Sequence, residues 1–169
     1  MLTDRIEREI RIDAPIDVVW SIVTEPEQIT QWFSDSAEFE LQPGAEGTLT
    51  FRGSRKGSRP NDSQHEAVIN LRVERAEPPR YFSFRWDYPH GVEPDESNAP
   101  LVEFTLTEDG EATTLKLVES GLQRPDWTDD QNERYVADHE RGWDHHLGLL
   151  RAHANTFEPT LGPQQGRPA

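Results

Sequence analysis

The sequence contains no cysteine, which excludes disulfides, thiolate metal sites and cysteine nucleophiles. Lysine is scarce as well, standing only at Lys56 and Lys116, so arginine supplies most of the 17 basic residues. Against these stand 32 acidic residues, and the formal net charge of -15 opposes phosphate backbones and anionic membranes, both of which require a basic surface. Nucleic acid is therefore not an expected partner. No stretch approaches the ~18 apolar residues of a membrane span. The opening MLTDRIEREIRID alternates charge with isoleucine in place of a basic leader or an apolar run. The expectation is a cytoplasmic, acidic protein without membrane insertion. Hydrophobic residues reach only 33% and aromatics 9%, which suits a sheet with one face in water. At 169 residues the chain fits one core, and a second independent core is not expected.

What the sequence does contain is clear periodicity. Ile6, Ile10 and Ile12 alternate with Glu7, Glu9 and Arg11, the period of a strand with one buried face. Asp13 and Pro15 then open a helix carrying Ile16, Val19, Trp20 and Val23, which Glu25 and Pro26 end. A second short helix carries Ile29, Trp32 and Phe33. Period two returns in Ala37, Phe39 and Leu41, turns at Pro43-Gly44, and resumes in Leu49 and Phe51. Residues 53–64 hold no apolar residue and read as a mobile loop with Arg55, Lys56 and Arg59. Strands follow with Ala67, Ile69, Leu71 and Val73, then Phe82, Phe84 and Trp86 after Pro78-Pro79. Val102, Phe104 and Leu106 then meet Leu115 and Leu117 across an Asp109-Gly110 turn.

Thr128 and Gln131 form a capping-box pattern that opens the closing helix, expected from about Asp129 to about Thr156 and therefore ~40 Å long. Its apolar stripe is Val136, Trp143, Leu147, Leu150 and Ala154, extended by Phe157. His139, His146 and His153 form a row at heptad spacing beside that stripe and read as boundary residues. No pair among the helical histidines is three or four residues apart, so a shared metal is not expected, nor is any cofactor. There is no G-x-S-x-G, no P-loop and no dinucleotide fingerprint, so no catalytic residue is assigned.

Ala14-Pro15 with Val19-Trp20, Trp32-Phe33, Pro43-Gly44, Pro78-Pro79-Arg80, Glu119-Ser120-Gly121 and Gly142-Trp143 with Leu147 and Leu150 occur in a telling order. In these stretches the chain resembles the START-like SRPBCC superfamily, in the branch named after the activator of the heat-shock-protein-90 ATPase. The likeness spans residues 5 to about 155. It implies an α+β helix-grip fold, in which a curved antiparallel sheet of seven strands, with two short helices, wraps a long C-terminal helix. The expected layout is one domain over residues 1–157 and a disordered tail over 158–169.

The resemblance also implies that the first and last strands pair. Strand parity places Arg8 in line with Ile6 and Ile10, and Glu119 in line with Leu115 and Leu117, so a salt bridge between Arg8 and Glu119 is expected at one end of the interior. His65 lies inward by the same parity.

A sheet curled round one helix leaves space unless large side chains fill it. The candidate cavity-lining residues are Trp32, Phe39, Phe51, Ile69, Leu71, Phe82, Phe84, Trp86, Phe104, Leu117, Trp143, Leu147 and Leu150, with Arg8, His65, Glu119, His139 and His146 as polar candidates. Aromatic rows fill ordinary cores more often than they line ligand sites, so for any single residue the core reading comes first. The leading expectation is a binding protein for a small hydrophobic or amphipathic ligand. The alternatives are a co-chaperone-like or regulatory protein-binding domain and an enzyme of the cyclase or hydratase kind. Monomer and homodimer both stay open.

Overall fold

The structure is a computed structural model that describes residues 4–52 and 66–156. The elements run β1 (Arg5–Ile12), α1 (Ile16–Thr24), α2 (Pro26–Ile29), β2 (Ser36–Glu38), β3 (Glu46–Arg52), β4 (Glu66–Glu77), β5 (Tyr81–Trp86), β6 (Leu101–Asp109), β7 (Ala112–Ser120) and α3 (Asp129–Thr156). The strands make one antiparallel sheet in the order β1-β7-β6-β5-β4-β3-β2. This is the helix-grip arrangement. Expectations for His65, for loop 53–64, for Phe157 and for the tail lie outside the described residues.

Most strands form where period-two patterning predicts. Val102, Phe104 and Leu106 of β6 and Leu115 and Leu117 of β7 are buried, with Glu103, Thr105, Thr114 and Lys116 on the opposite face more open, although Ala112 and Val118 there are also buried. The hairpin before β4 differs from expectation: pairing in β2 stops at Glu38, and Phe39 and Leu41 pack half-buried against the core from irregular backbone. Gly47 explains how the chain passes there. A Cβ at that position would come within 2.0 Å of the Glu38 carbonyl oxygen, so only glycine permits the close approach of β3 to the end of β2. In β5, Ser83 on the side opposite the aromatic row is also buried.

The helix α3 begins with the capping box: Thr128 N–H donates to Gln131 Oε1 at 2.9 Å, and Gln131 N–H donates to Thr128 Oγ1 at 3.1 Å. Its buried residues are Asn132, Val136, Trp143, Leu147, Leu150 and Ala154. That stripe turns α3 onto the concave face, where it runs closest to β1 and α1. The opposite end of the sheet, β3 and β4, is left more widely separated from the helix, and this asymmetry positions the site.

Candidate functional site

The trough under α3 is largely solid. The Trp143 ring stacks on Phe33 at 5.2 Å, meets Phe104 edge-on at 6.1 Å and lies 6.0 Å from Trp86. Trp32, Phe39, Leu71, Phe82, Phe84 and Phe104 surround a void of only about 10 Å³. A water molecule needs roughly that much space and several polar partners, which these walls lack. Directly beneath the helix the aromatic rows therefore form a packed core. Sequence reasoning left Phe33 out of the lining, and this residue, carried in just after α2, is what plugs the trough.

An open volume walled in part by aromatic side chains lies to one side. A cavity of about 270 Å³ sits between β3, β4 and β5 and the middle of α3. It is lined by Phe33, Phe51, Ala67, Ile69, Trp86, Asp87, Tyr135, Asp138, His139, Gly142, Trp143 and His146. The helical members recur three and four residues apart, so they present one face of α3 to the cavity. Of the sequence-predicted residues, Phe51, Ile69, Trp86, Trp143, His139 and His146 line this cavity, whereas Arg8, Leu117, Glu119, Leu147 and Leu150 line neither void.

Behind the wall lies Glu119, whose side chain is 0% exposed. Two indoles donate to it: Trp143 Nε1–H to Oε1 at 2.7 Å and Trp86 Nε1–H to Oε2 at 2.8 Å. His139 Nδ1 lies 2.9 Å from Oε1. A carboxylate accepts only, so a fully buried one is tolerable here because three donors replace its water. The neighbouring strand parity that pointed Glu119 inward is thus correct, but its partners come from β5 and α3.

Arg8 is not among those partners. Its Nε donates to Asp144 Oδ1 of α3 at 2.7 Å, with Glu140 at 4.0 Å, and its side chain stays 31% exposed. In the β1–β7 register Arg8 faces Leu117, while Ile6 faces Glu119. The expected Arg8–Glu119 salt bridge is therefore corrected. From the edge strand a long guanidinium reaches past the sheet to a wet acidic partner, and the indoles already neutralise the need for a cation at Glu119.

His139 occupies the gap in the apolar stripe between Val136 and Trp143, with its side chain 14% exposed. It is half-buried at the edge of the stripe, the boundary position that the heptad row suggested. Its ring lies 4.2 Å from that of Tyr135 and 5.7 Å from that of Trp86. Burial is the strongest single influence on this imidazole and lowers its pKa. The hydrogen bond and charge of Glu119, helped by Asp87 and Asp138, outweigh that effect and hold the pKa above the ordinary histidine value. His146, by contrast, places Nδ1 3.0 Å from the Trp32 carbonyl, and His153 places Nε2 2.8 Å from Gln28 Oε1.

Asp87 follows β5 with φ of 60°, a left-handed conformation that aspartate tolerates better than most residues. There its Oδ2 accepts the Tyr135 hydroxyl at 2.7 Å. Burial first, then the Asp87 charge and this hydrogen bond, push the Tyr135 phenol pKa far up, so it stays a donor. Arg124 Nη2 lies 3.3 Å from the same hydroxyl oxygen.

A family model described as Activator of Hsp90 ATPase homolog 1-like protein matches residues 13–155. The chain belongs to this family. Within the wider START-like fold, this activator-homologue-like chain resembles several solved structures. DynU16, described as a putative protein in the dynemicin biosynthetic locus, is 27% identical over 93% of this chain and 49% of its own, with a TM-score of 0.67. The present chain thus spans about half of that protein. CalU16 from Micromonospora echinospora is 26% identical over 94% of this chain and 69% of its own, with a TM-score of 0.62. The Aha1 dimer from Colwellia psychrerythraea, at 14% identity, shares the fold with a TM-score of 0.66 over 93% of this chain and 100% of its own. No curated protein sequence matches the chain.

In this family member, sequence reasoning missed Phe33, Ala67, Asp87, Tyr135, Asp138 and Gly142 as cavity residues. One signal was available: Tyr135, Asp138, His139, Gly142 and His146 share a helical face adjoining the apolar stripe. No signal in the sequence places Asp87, because its position depends on a single left-handed residue after β5.

Proposed function

We propose that the protein is a cytoplasmic binding protein that holds a small, largely apolar ligand in the lateral cavity between β3–β5 and α3. One observation carries this reading: a volume of about 270 Å³ walled by Phe33, Phe51, Ile69, Trp86 and Trp143, beside a core packed tightly everywhere else along the aromatic rows. The pocket opens to solvent on one side and lies near the lower bound of ligand-pocket sizes, so it suits a small guest entering from the surface. Gly142 adds support, since a Cβ at that position would meet nothing within 4 Å although it lies in the middle of a helix. Glycine there weakens the helix by about 1 kcal/mol relative to alanine and keeps the cavity wall low. The likeness to DynU16, a protein of a biosynthetic locus, is in keeping with a small-molecule ligand. No helix among the described residues is long and apolar enough to cross a membrane.

The test is titration with naphthalene, followed by quenching of Trp86 and Trp143 fluorescence and by chemical-shift mapping. Saturable binding with shifts confined to residues such as Phe51, Ile69 and Gly142 is expected. Absence of saturable binding, or shifts spread over the convex face of the sheet, would refute the reading.

A further inference from the structure

The cavity has one polar feature that a purely apolar guest would leave idle. Glu119 accepts from the Trp143 and Trp86 indoles and, as a carboxylate, has no proton to give to His139 Nδ1, 2.9 Å from its Oε1. The His139 ring must therefore donate through Nδ1, and this fixes its neutral tautomer with a lone pair on Nε2. Nε2 lies across the ring from Glu119 and has no hydrogen-bond partner among the described residues, and His139 forms part of the cavity lining. A polar atom held in one protonation pattern at the wall of an apolar chamber leaves an acceptor unsatisfied unless a ligand or water supplies the donor.

The charges around that atom narrow the ligand further. Asp87 and Asp138 line the cavity, Glu119 stands directly behind the imidazole, and no lysine or arginine occurs among the described lining residues. Arg124 lies behind Tyr135, where it bonds to the phenol oxygen. Asp138 is exposed and paired with Arg141, so the repulsion that a carboxylate or phosphate ligand would meet comes chiefly from Asp87. We infer that the site is built for a neutral ligand that pairs an apolar ring system with a hydroxyl, and that His139 Nε2 accepts the hydroxyl proton while Glu119 acts as the positioning residue that sets the tautomer. This inference rests on the cavity being a ligand site and adds the chemistry that the ligand must carry.

Three neutral or anionic probes of one ring size separate the claims: 2-naphthol, which can donate; 2-methoxynaphthalene, which can only accept; and 2-naphthoate, which is anionic. At a pH above the His139 titration but below that of the naphthol hydroxyl, so that both are neutral, 2-naphthol is expected to bind about tenfold more tightly than the ether, the worth of one buried hydrogen bond. Naphthoate is expected to bind more weakly than either. As pH falls through the His139 titration, which Glu119, Asp87 and Asp138 place above the ordinary histidine value, the imidazolium becomes a donor to either oxygen, and the preference for naphthol over the ether should collapse.

His139→Phe should remove the preference while keeping ether binding. Because that variant leaves Glu119 with one donor fewer and could fail to fold, the second readout uses the unaltered protein. Nitrogen-15 spectra of His139 should show a protonated Nδ1 and a bare Nε2, with Nε2 shifting when 2-naphthol is added and staying unmoved when the ether is added. Equal affinity for naphthol and ether where imidazole and naphthol are both neutral, tighter binding of naphthoate, or an Nε2-protonated neutral ring would each overturn the inference and leave the carrier reading standing. Failure of all three probes to bind would overturn both.

Discussion

Replacing Glu119 with glutamine changes almost no volume and removes one acceptor, so its effect isolates the hydrogen bonding behind the cavity. The carboxylate serves Trp143 and His139 through Oε1 and Trp86 through Oε2. An amide offers one oxygen. With that oxygen at the Oε1 position, the NH2 group faces the Trp86 indole N–H across 2.8 Å, donor against donor. With the amide reversed, His139 can change tautomer and accept, but the Trp143 N–H then faces NH2 across 2.7 Å. Either way one buried indole donor and one amide donor lose their partners.

At about 1–3 kcal/mol for each unsatisfied buried group, and allowing for relaxation, Glu119→Gln should cost about 2–4 kcal/mol. Against a total stability of about 5–15 kcal/mol the variant still folds. Urea unfolding followed by tryptophan fluorescence measures the difference, and an unchanged denaturant slope would confirm that the native state keeps its compactness. The indole N–H resonances of Trp86 and Trp143 report which donor is lost. A cost below about 0.5 kcal/mol would refute the reasoning, because it would mean that the buried carboxylate contributes nothing a neutral amide cannot.

His139 should make stability depend on pH. Its folded pKa is raised above the ordinary 6.5, so the stabilisation from the His139–Glu119 pair is complete below that value and is lost as pH rises through the folded pKa. Urea midpoints measured from mildly acid to alkaline pH should show a falling difference between wild type and His139→Gln across that window, and a difference that grows with pH would contradict it. Phe104→Ala should cost about 3–5 kcal/mol by chemical denaturation, since the void beside it measures only about 10 Å³ and its neighbours are already packed; a cost near 1 kcal/mol would mean that the core is loose. Arg8→Met and Glu119→Gln should be additive within about 0.5 kcal/mol in a double-mutant cycle, whereas Arg8 and Asp144, both partly exposed, should couple by less than about 1 kcal/mol.

Several of these expectations were legible in the sequence and others were not, for physical reasons. Period-two alternation in β6 and β7 and the capping box at Thr128 act locally, so they can be read from neighbours in the chain. The inward direction of Glu119 follows from the same alternation. Its bonding partners do not, because Trp86 and Trp143 reach it only through the sheet register and the rotation of α3. Arg8 shows the limit of parity: a residue can share a face with the core and still carry its charge to water when its strand is at the edge and its side chain is long. The location of free volume was the least legible feature. It depends on whether Phe33, a residue from the segment after α2, enters the trough and stacks on Trp143, and nothing in local pattern decides that.

The lateral cavity itself can be tested most directly at Gly142. A side chain added there meets open space and improves helix propensity, so Gly142→Leu should leave the fold as stable as wild type or raise its melting temperature by a few degrees while filling the chamber. The account predicts that naphthalene binding is lost in this stable variant. Undiminished binding by folded Gly142→Leu would place the ligand elsewhere and contradict the account.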